Sequence, residues 1–75
     1  MGLNDYLMEF CEKHGYTGTI SINNSGEYIV QMENGLECSQ ATLTKEEYES
    51  ATEDEIKELL RFMRNGMELR TRART

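Results

Sequence analysis

Leu3, Tyr6, Leu7, Phe10, Cys11 and His14 recur in the i, i+3, i+4, i+7 pattern along the first segment. That spacing winds into one apolar stripe on an α-helix. At about 100° per residue, Asp5, Glu9 and Glu12 fall on the opposite side. Gly15 stands where a helix C-terminus wants a left-handed residue.

Period two replaces the helical period after Tyr16. Asn24-Ser25-Gly26 matches a three-residue hairpin loop closed by a left-handed glycine, which pairs Ile22 with Tyr28 and Ile20 with Val30. Glu33-Asn34-Gly35 matches the same loop and predicts Met32 opposite Leu36 and Val30 opposite Cys38. A two-residue Asn34-Gly35 turn would set Met32 against Glu37 and scramble the apolar face. The preferred register makes a three-stranded antiparallel sheet. One face carries Ile20, Ile22, Tyr28, Val30, Met32, Leu36 and Cys38; the other carries Thr19, Ser21, Ile29, Gln31, Glu33, Glu37 and Ser39.

Helical signals then return. Thr44 with Glu47 and Thr52 with Glu55 each have capping-box spacing. Two starts eight residues apart predict a short helix near 45–51 and a longer one near 53–65, with one continuous bent helix as the alternative. Ile56, Leu59, Leu60 and Met63 form the apolar stripe of the longer helix, with Phe62 at its edge and Lys57, Arg61 and Arg64 on one flank. Asn65-Gly66 predicts its end. The fold class expected is α+β, in the order α-β-β-β-α-α, with the helices on one sheet face and the other face in solvent. The chain then divides into a single domain over 1–66 and a basic C-terminal tail over 67–75 that need not be ordered.

Charge sharpens this picture. Residues 1–55 hold twelve acids and two bases, whereas residues 56–75 hold six bases and two acids. Helix polarity accounts for part of the division, since acids suit the start of a helix and bases its end. It does not require the acids on the first helix and around the sheet. A strongly acidic body with a basic end selects partners by charge, either basic protein surfaces or nucleic acid.

Size limits the chemistry. Ordering a residue costs about 1.5 kcal/mol, and a chain of this length has little surplus with which to shape a buried catalytic pocket. A non-catalytic binding protein is therefore expected. No secretory signal or membrane-spanning run is legible, and two cysteines are too few for a disulfide scaffold, so free thiols and a cytoplasmic location are expected. Cys11 and His14 have the spacing of half a metal site, but Cys38 stands alone on a strand. No metal, cofactor or catalytic pair is expected. The five methionines read as core filler.

Helix, three-stranded sheet, short helix and longer helix, in an acidic chain, resemble the small prophage anti-CRISPR proteins that block RNA-guided DNA nucleases. The similarity runs over residues 3–66 and is carried by Asn4-Asp5, Lys13, Tyr16-Thr17 and Asn65-Gly66. In that class, acids imitate DNA phosphates or the bases read by paired arginines. The resemblance implies partner-binding roles for Glu33, Glu37, Glu46, Glu47, Glu49, Glu53, Asp54 and Glu55. The Arg-rich end departs from that pattern, because positive charge does not imitate DNA. The double-stranded RNA-binding domain shares the α-β-β-β-α order, but its last helix opens with bases, whereas here Glu53-Asp54-Glu55 would repel a phosphate backbone.

The leading expectation is a small inhibitor of phage or mobile-element type that occludes a basic, nucleic-acid-binding surface of a partner, with an RNA-guided nuclease as one candidate. The alternative is a nucleic-acid-binding regulator using Lys57, Arg61, Arg64, Arg70, Arg72 and Arg74. A third reading is a structural homo-oligomer joined through Phe62 or Ile29. The sequence is compatible with a monomer or a homodimer.

Overall fold

A computed structural model describes residues 2–74 and, of Arg74, only the backbone. The element order is α1 (Leu3–His14), β1 (Thr17–Ile22), β2 (Tyr28–Glu33), β3 (Cys38–Leu43), α2 (Lys45–Ser50) and α3 (Glu53–Arg74). This is the expected α+β fold. The strands form one antiparallel sheet in the order β1-β2-β3.

The core lies between one sheet face and the helices α1 and α3. Leu3, Leu7 and Cys11 of α1, Val30 and Met32 of β2, and Ile56, Leu60, Met63 and Met67 of α3 are buried together. Gly18 lets α1 settle closely on β1, because a Cβ there would lie 2.8 Å from the Cys11 sulfur and 3.0 Å from Leu7 Cγ. Tyr28 of β2 stacks on Tyr48 of α2 with ring centroids 4.1 Å apart, which ties the short helix to the sheet. Met32, Met63 and Met67 are core filler, whereas Met8 is exposed.

The first hairpin has the expected register, with Ile22 opposite Tyr28 and Ile20 opposite Val30. Asn23 organises it: its side-chain oxygen accepts the Ser25 and Glu27 N–H groups. Ile22 itself, expected on the core face, is exposed beside the turn.

The second hairpin differs from expectation. Met32 lies opposite Ser39 and Val30 opposite Ala41, a shift of three residues from the pairing with Leu36 and Cys38. An odd shift exchanges the two faces of a strand. Ser39, Ala41 and Leu43 therefore face inward, while Leu36 and Cys38 are exposed. The cause is the turn. Asn34 N–H bonds to the Glu37 carbonyl, so Gly35-Leu36 is a two-residue loop, with glycine first at φ 91° as a type II′ turn favours. The Asn34 side-chain oxygen accepts the Leu36 and Glu37 N–H groups, at 2.9 and 2.8 Å, and seals the loop.

Both capping boxes are formed, and they mark two helices. Thr44 N–H donates to Glu47 Oε1 at 2.8 Å and Glu47 N–H to Thr44 Oγ1 at 3.1 Å. The Thr52–Glu55 pair repeats this at 2.9 and 3.2 Å. However, α3 does not stop at Asn65-Gly66. It runs on to Arg74, so residues 67–74 are helix rather than a loose tail. Its buried stripe passes over Gly66 from Met63 to Met67, and packing outweighs the cost of about 1 kcal/mol for an interior glycine. The distal turns are then anchored to the second hairpin. Arg70 Nη2 donates to the Cys38 carbonyl at 2.7 Å and Arg70 Nε to Glu37 Oε1 at 2.9 Å, while the Asn34 amide donates to Thr71 Oγ1 at 3.3 Å.

Candidate partner-binding surface

The expected acidic surface is divided between two ends of the molecule. Glu33 and Glu37 flank the tip of the second hairpin. That tip docks on Arg70 and Thr71, near the C-terminal end of α3. Glu46, Glu47 and Glu49 lie on α2, and Glu53, Asp54 and Glu55 open α3. Asp54 and Arg70 are sixteen positions apart in one helix, about 24 Å along its axis. The two groups therefore do not form one surface.

Within each group some acids already have structural duties. Glu47 and Glu55 accept the N–H groups of Thr44 and Thr52. The bond to Thr52 holds the Glu55 carboxyl below the usual carboxylate range. Glu53 pairs with Lys57 at 2.8 Å, and this contact, seconded by the Tyr6 hydroxyl, also lowers its pKa. Burial, followed by the Glu53 charge, raises that of Tyr6. Glu37 is committed to Arg70. Glu46, Glu49 and Asp54 remain exposed on the α2 side of the molecule. Glu58, one turn beyond Asp54, extends this group. Sequence reasoning passed over Glu58, although its i+4 spacing from Asp54 was the signal. Asp54, Glu55 and Glu58 rim an exposed shelf formed by Leu59 and Phe62.

The basic residues are also redistributed. A groove of about 450 Å³ separates α1 from α3, lined by Tyr6, Glu9, Phe10, Lys13 and His14 of α1 and by Lys57, Leu60, Arg61 and Arg64 of α3, so that Glu9 stands among its bases. Arg64 pairs with Glu68 at 3.0 Å, and its Nε is buried without a hydrogen-bond partner among the described residues. Burial, then the charges of Arg64 and Lys13, hold the His14 imidazole below its usual pKa. His14 lies between Phe10 and Tyr16, with ring centroids 4.5 and 5.9 Å away. Comparison with protein-family models, curated proteins and solved structures finds no match.

Arg70 and Arg72, grouped by the nucleic-acid-binding alternative, do not share one side of α3. Two residues along a helix turn the side chain through about 200°, so Arg70 reaches the hairpin while Arg72 lies on another side. The side chain of Arg74, the third member expected, lies outside the described residues. Cys11 and Cys38 are free thiols, the first buried and with its pKa raised by that burial, the second exposed. Among the described residues, no group of three or more potential ligands could hold a metal, and no helix is long and apolar enough to cross a membrane.

Proposed function

We propose that this chain is a small non-catalytic binding protein that covers a basic surface of a partner protein with the acidic end formed by α2 and the start of α3. One observation carries the reading: Glu46, Glu49, Asp54 and Glu58 are exposed around that end, beyond the acids that the capping boxes use. Charges left in solvent cost the fold little and create a negative field that steers a basic partner. The likeness to prophage anti-CRISPR proteins makes the DNA-binding groove of an RNA-guided nuclease the first candidate partner. The free thiols fit a reducing cytoplasm.

Glu33 and Glu37 have a smaller part in this reading than the resemblance implied, because they lie at the far end and Glu37 already holds Arg70. The test is binding to an RNA-guided nuclease, in competition with its DNA, across a salt series. Affinity should fall steeply as salt rises, and joint reversal of Glu46, Glu49 and Asp54 to Lys should weaken it at least about tenfold. Reversal of Lys57 and Arg61 to Glu should not weaken it. Salt-independent binding, or full affinity in the triple variant, would rule out the acidic end. A gel shift of duplex DNA or RNA by the protein alone, lost with Arg61→Glu, would instead favour the α1–α3 groove as a nucleic-acid site.

A further inference from the structure

Two features of α3 are explained neither by the core nor by the acidic end. Phe62 and Leu69 are 77% and 65% exposed, and Gly66 interrupts an otherwise strong helix. They belong to one pattern. Leu59, Phe62, Gly66, Leu69 and Ala73 succeed one another at intervals of three, four, three and four. This is the seven-residue repeat of a helix–helix seam. At about 100° per residue it lies roughly a third of a turn from the buried stripe of Ile56, Leu60, Met63 and Met67. From Leu59 to Ala73 it is about 21 Å long. The helix thus has two apolar faces: the first is buried, and the second, anchored at its start by a half-buried Leu59, is left exposed at Phe62 and Leu69 among the described residues.

We infer that the second face binds the same face of a second copy of this chain, with the two α3 helices antiparallel. Charge complementarity selects both the occupant and the direction. The seam begins beside Glu55 and Glu58 and ends beside Arg72. Antiparallel pairing sets the acidic start of each helix against the basic end of the other, whereas parallel pairing sets like against like. A two-fold axis between Asn65 and Gly66 places Phe62 against Leu69 of the second copy, and Glu58 and Leu59 beside its Arg72 and Ala73. Gly66 then lies at the crossing point, where the lack of a side chain lets two helices approach closely. The internal cost of a mid-helix glycine and the exposure of a phenylalanine are both accounted for by one contact. Glu58 belongs both to this seam and to the acidic end, whereas Glu46 and Glu49, on α2, lie outside the seam, so dimer mass of the chain alone tests pairing separately from the proposed partner.

Sedimentation equilibrium from about 1 μM to about 1 mM tests the inference, because a seam on one helix gives an interface at the small, weak end of the specific range. The expected result is a concentration-dependent rise from monomer to dimer mass. Phe62→Asp should weaken dimerisation about 100-fold, as loss of a central aromatic anchor does. Gly66→Leu should also weaken it while the monomer stays folded, since within the chain a Cβ there meets only Arg70 Nη1, at 3.4 Å. Direction is tested by charge exchange. Glu58→Arg and Arg72→Glu should each weaken the dimer about threefold to tenfold, and the double variant should recover it. Circular dichroism on each variant confirms that the helix persists. A monomer at every concentration overturns the inference, and so does a dimer indifferent to Phe62→Asp. A dimer that the double variant does not recover overturns the antiparallel arrangement.

Discussion

The two ends of α3 are held by different kinds of contact. The N-terminal end is secured within four residues, by the reciprocal Thr52–Glu55 bonds and the Glu53–Lys57 pair. The C-terminal end is secured across more than thirty, by Arg70 on Glu37 and Cys38 and by Asn34 on Thr71. Local contacts define where the helix begins, whatever the rest of the chain does. Distant contacts define how far it continues, and they exist only once the hairpin is in place. A related difference separates the acidic end, where Glu46, Glu49, Asp54 and Glu58 are left exposed, from the distal turns, where Arg70 is engaged by Glu37 and the Cys38 carbonyl.

The strongest way to break this comparison is to empty the core beneath the distal turns. Met67 is fully buried and Leu69 is mostly exposed. Met67→Ala should cost about 2–5 kcal/mol in urea denaturation, whereas Leu69→Ala, measured at low protein concentration, should cost about 0.5 kcal/mol or less. Equal effects would mean that the C-terminal half of α3 does not dock on the sheet.

This contrast also explains how far the sequence was legible. α1, the first hairpin, both capping boxes and the α-β-β-β-α-α order depend on spacing and turn chemistry within a few residues, and each is found where the pattern predicts it. The end of α3 depends on partners far away in sequence, and the register of the second hairpin on a side-chain closure that loop composition does not reveal. Glu33-Asn34-Gly35 has the composition of a three-residue loop, but Asn34 uses its side chain to close a shorter one and to reach Thr71. Asn65-Gly66 has the composition of a helix end, but Met67 has a core to fill. The period-two run Ser39, Ala41, Leu43 was the available signal for the correct register, and it is weak because two of its residues are small. For the surface, sequence supplied the acids but not which of them capping, ion pairing and distance would remove.

The long-range anchor can be isolated by a double-mutant cycle on Glu37→Gln and Arg70→Gln. The Glu37 side chain is 10% exposed although Arg70 is 49% exposed, whereas both partners of the Glu53–Lys57 pair are more than half exposed, at 56% and 52%. Coupling of about 1 kcal/mol is expected for Glu37 and Arg70, and a clearly smaller one for the solvent-screened Glu53 and Lys57. Similar values for the two pairs would remove the distinction between a docked end and a locally capped one.

The smallest effect belongs to the local end, and pH exposes it. Thr52→Ala should cost about 1 kcal/mol at neutral pH through loss of the cap hydroxyl. Glu55, its reciprocal partner, has a folded pKa below that of the unfolded chain because it accepts the Thr52 N–H. Between the two values the unfolded chain binds more protons, so stability rises with pH there. The contribution is fully present above the unfolded carboxylate pKa of about 4.3 and is lost as pH falls through the folded value. Glu55→Gln keeps an acceptor but cannot titrate. The gap in stability between wild type and this variant, followed by denaturation at successive pH values, should be constant above that range and narrow below it. A gap that does not change with pH would show that the Glu55 charge adds nothing to the cap, and that this end of α3 is held by the hydroxyl alone.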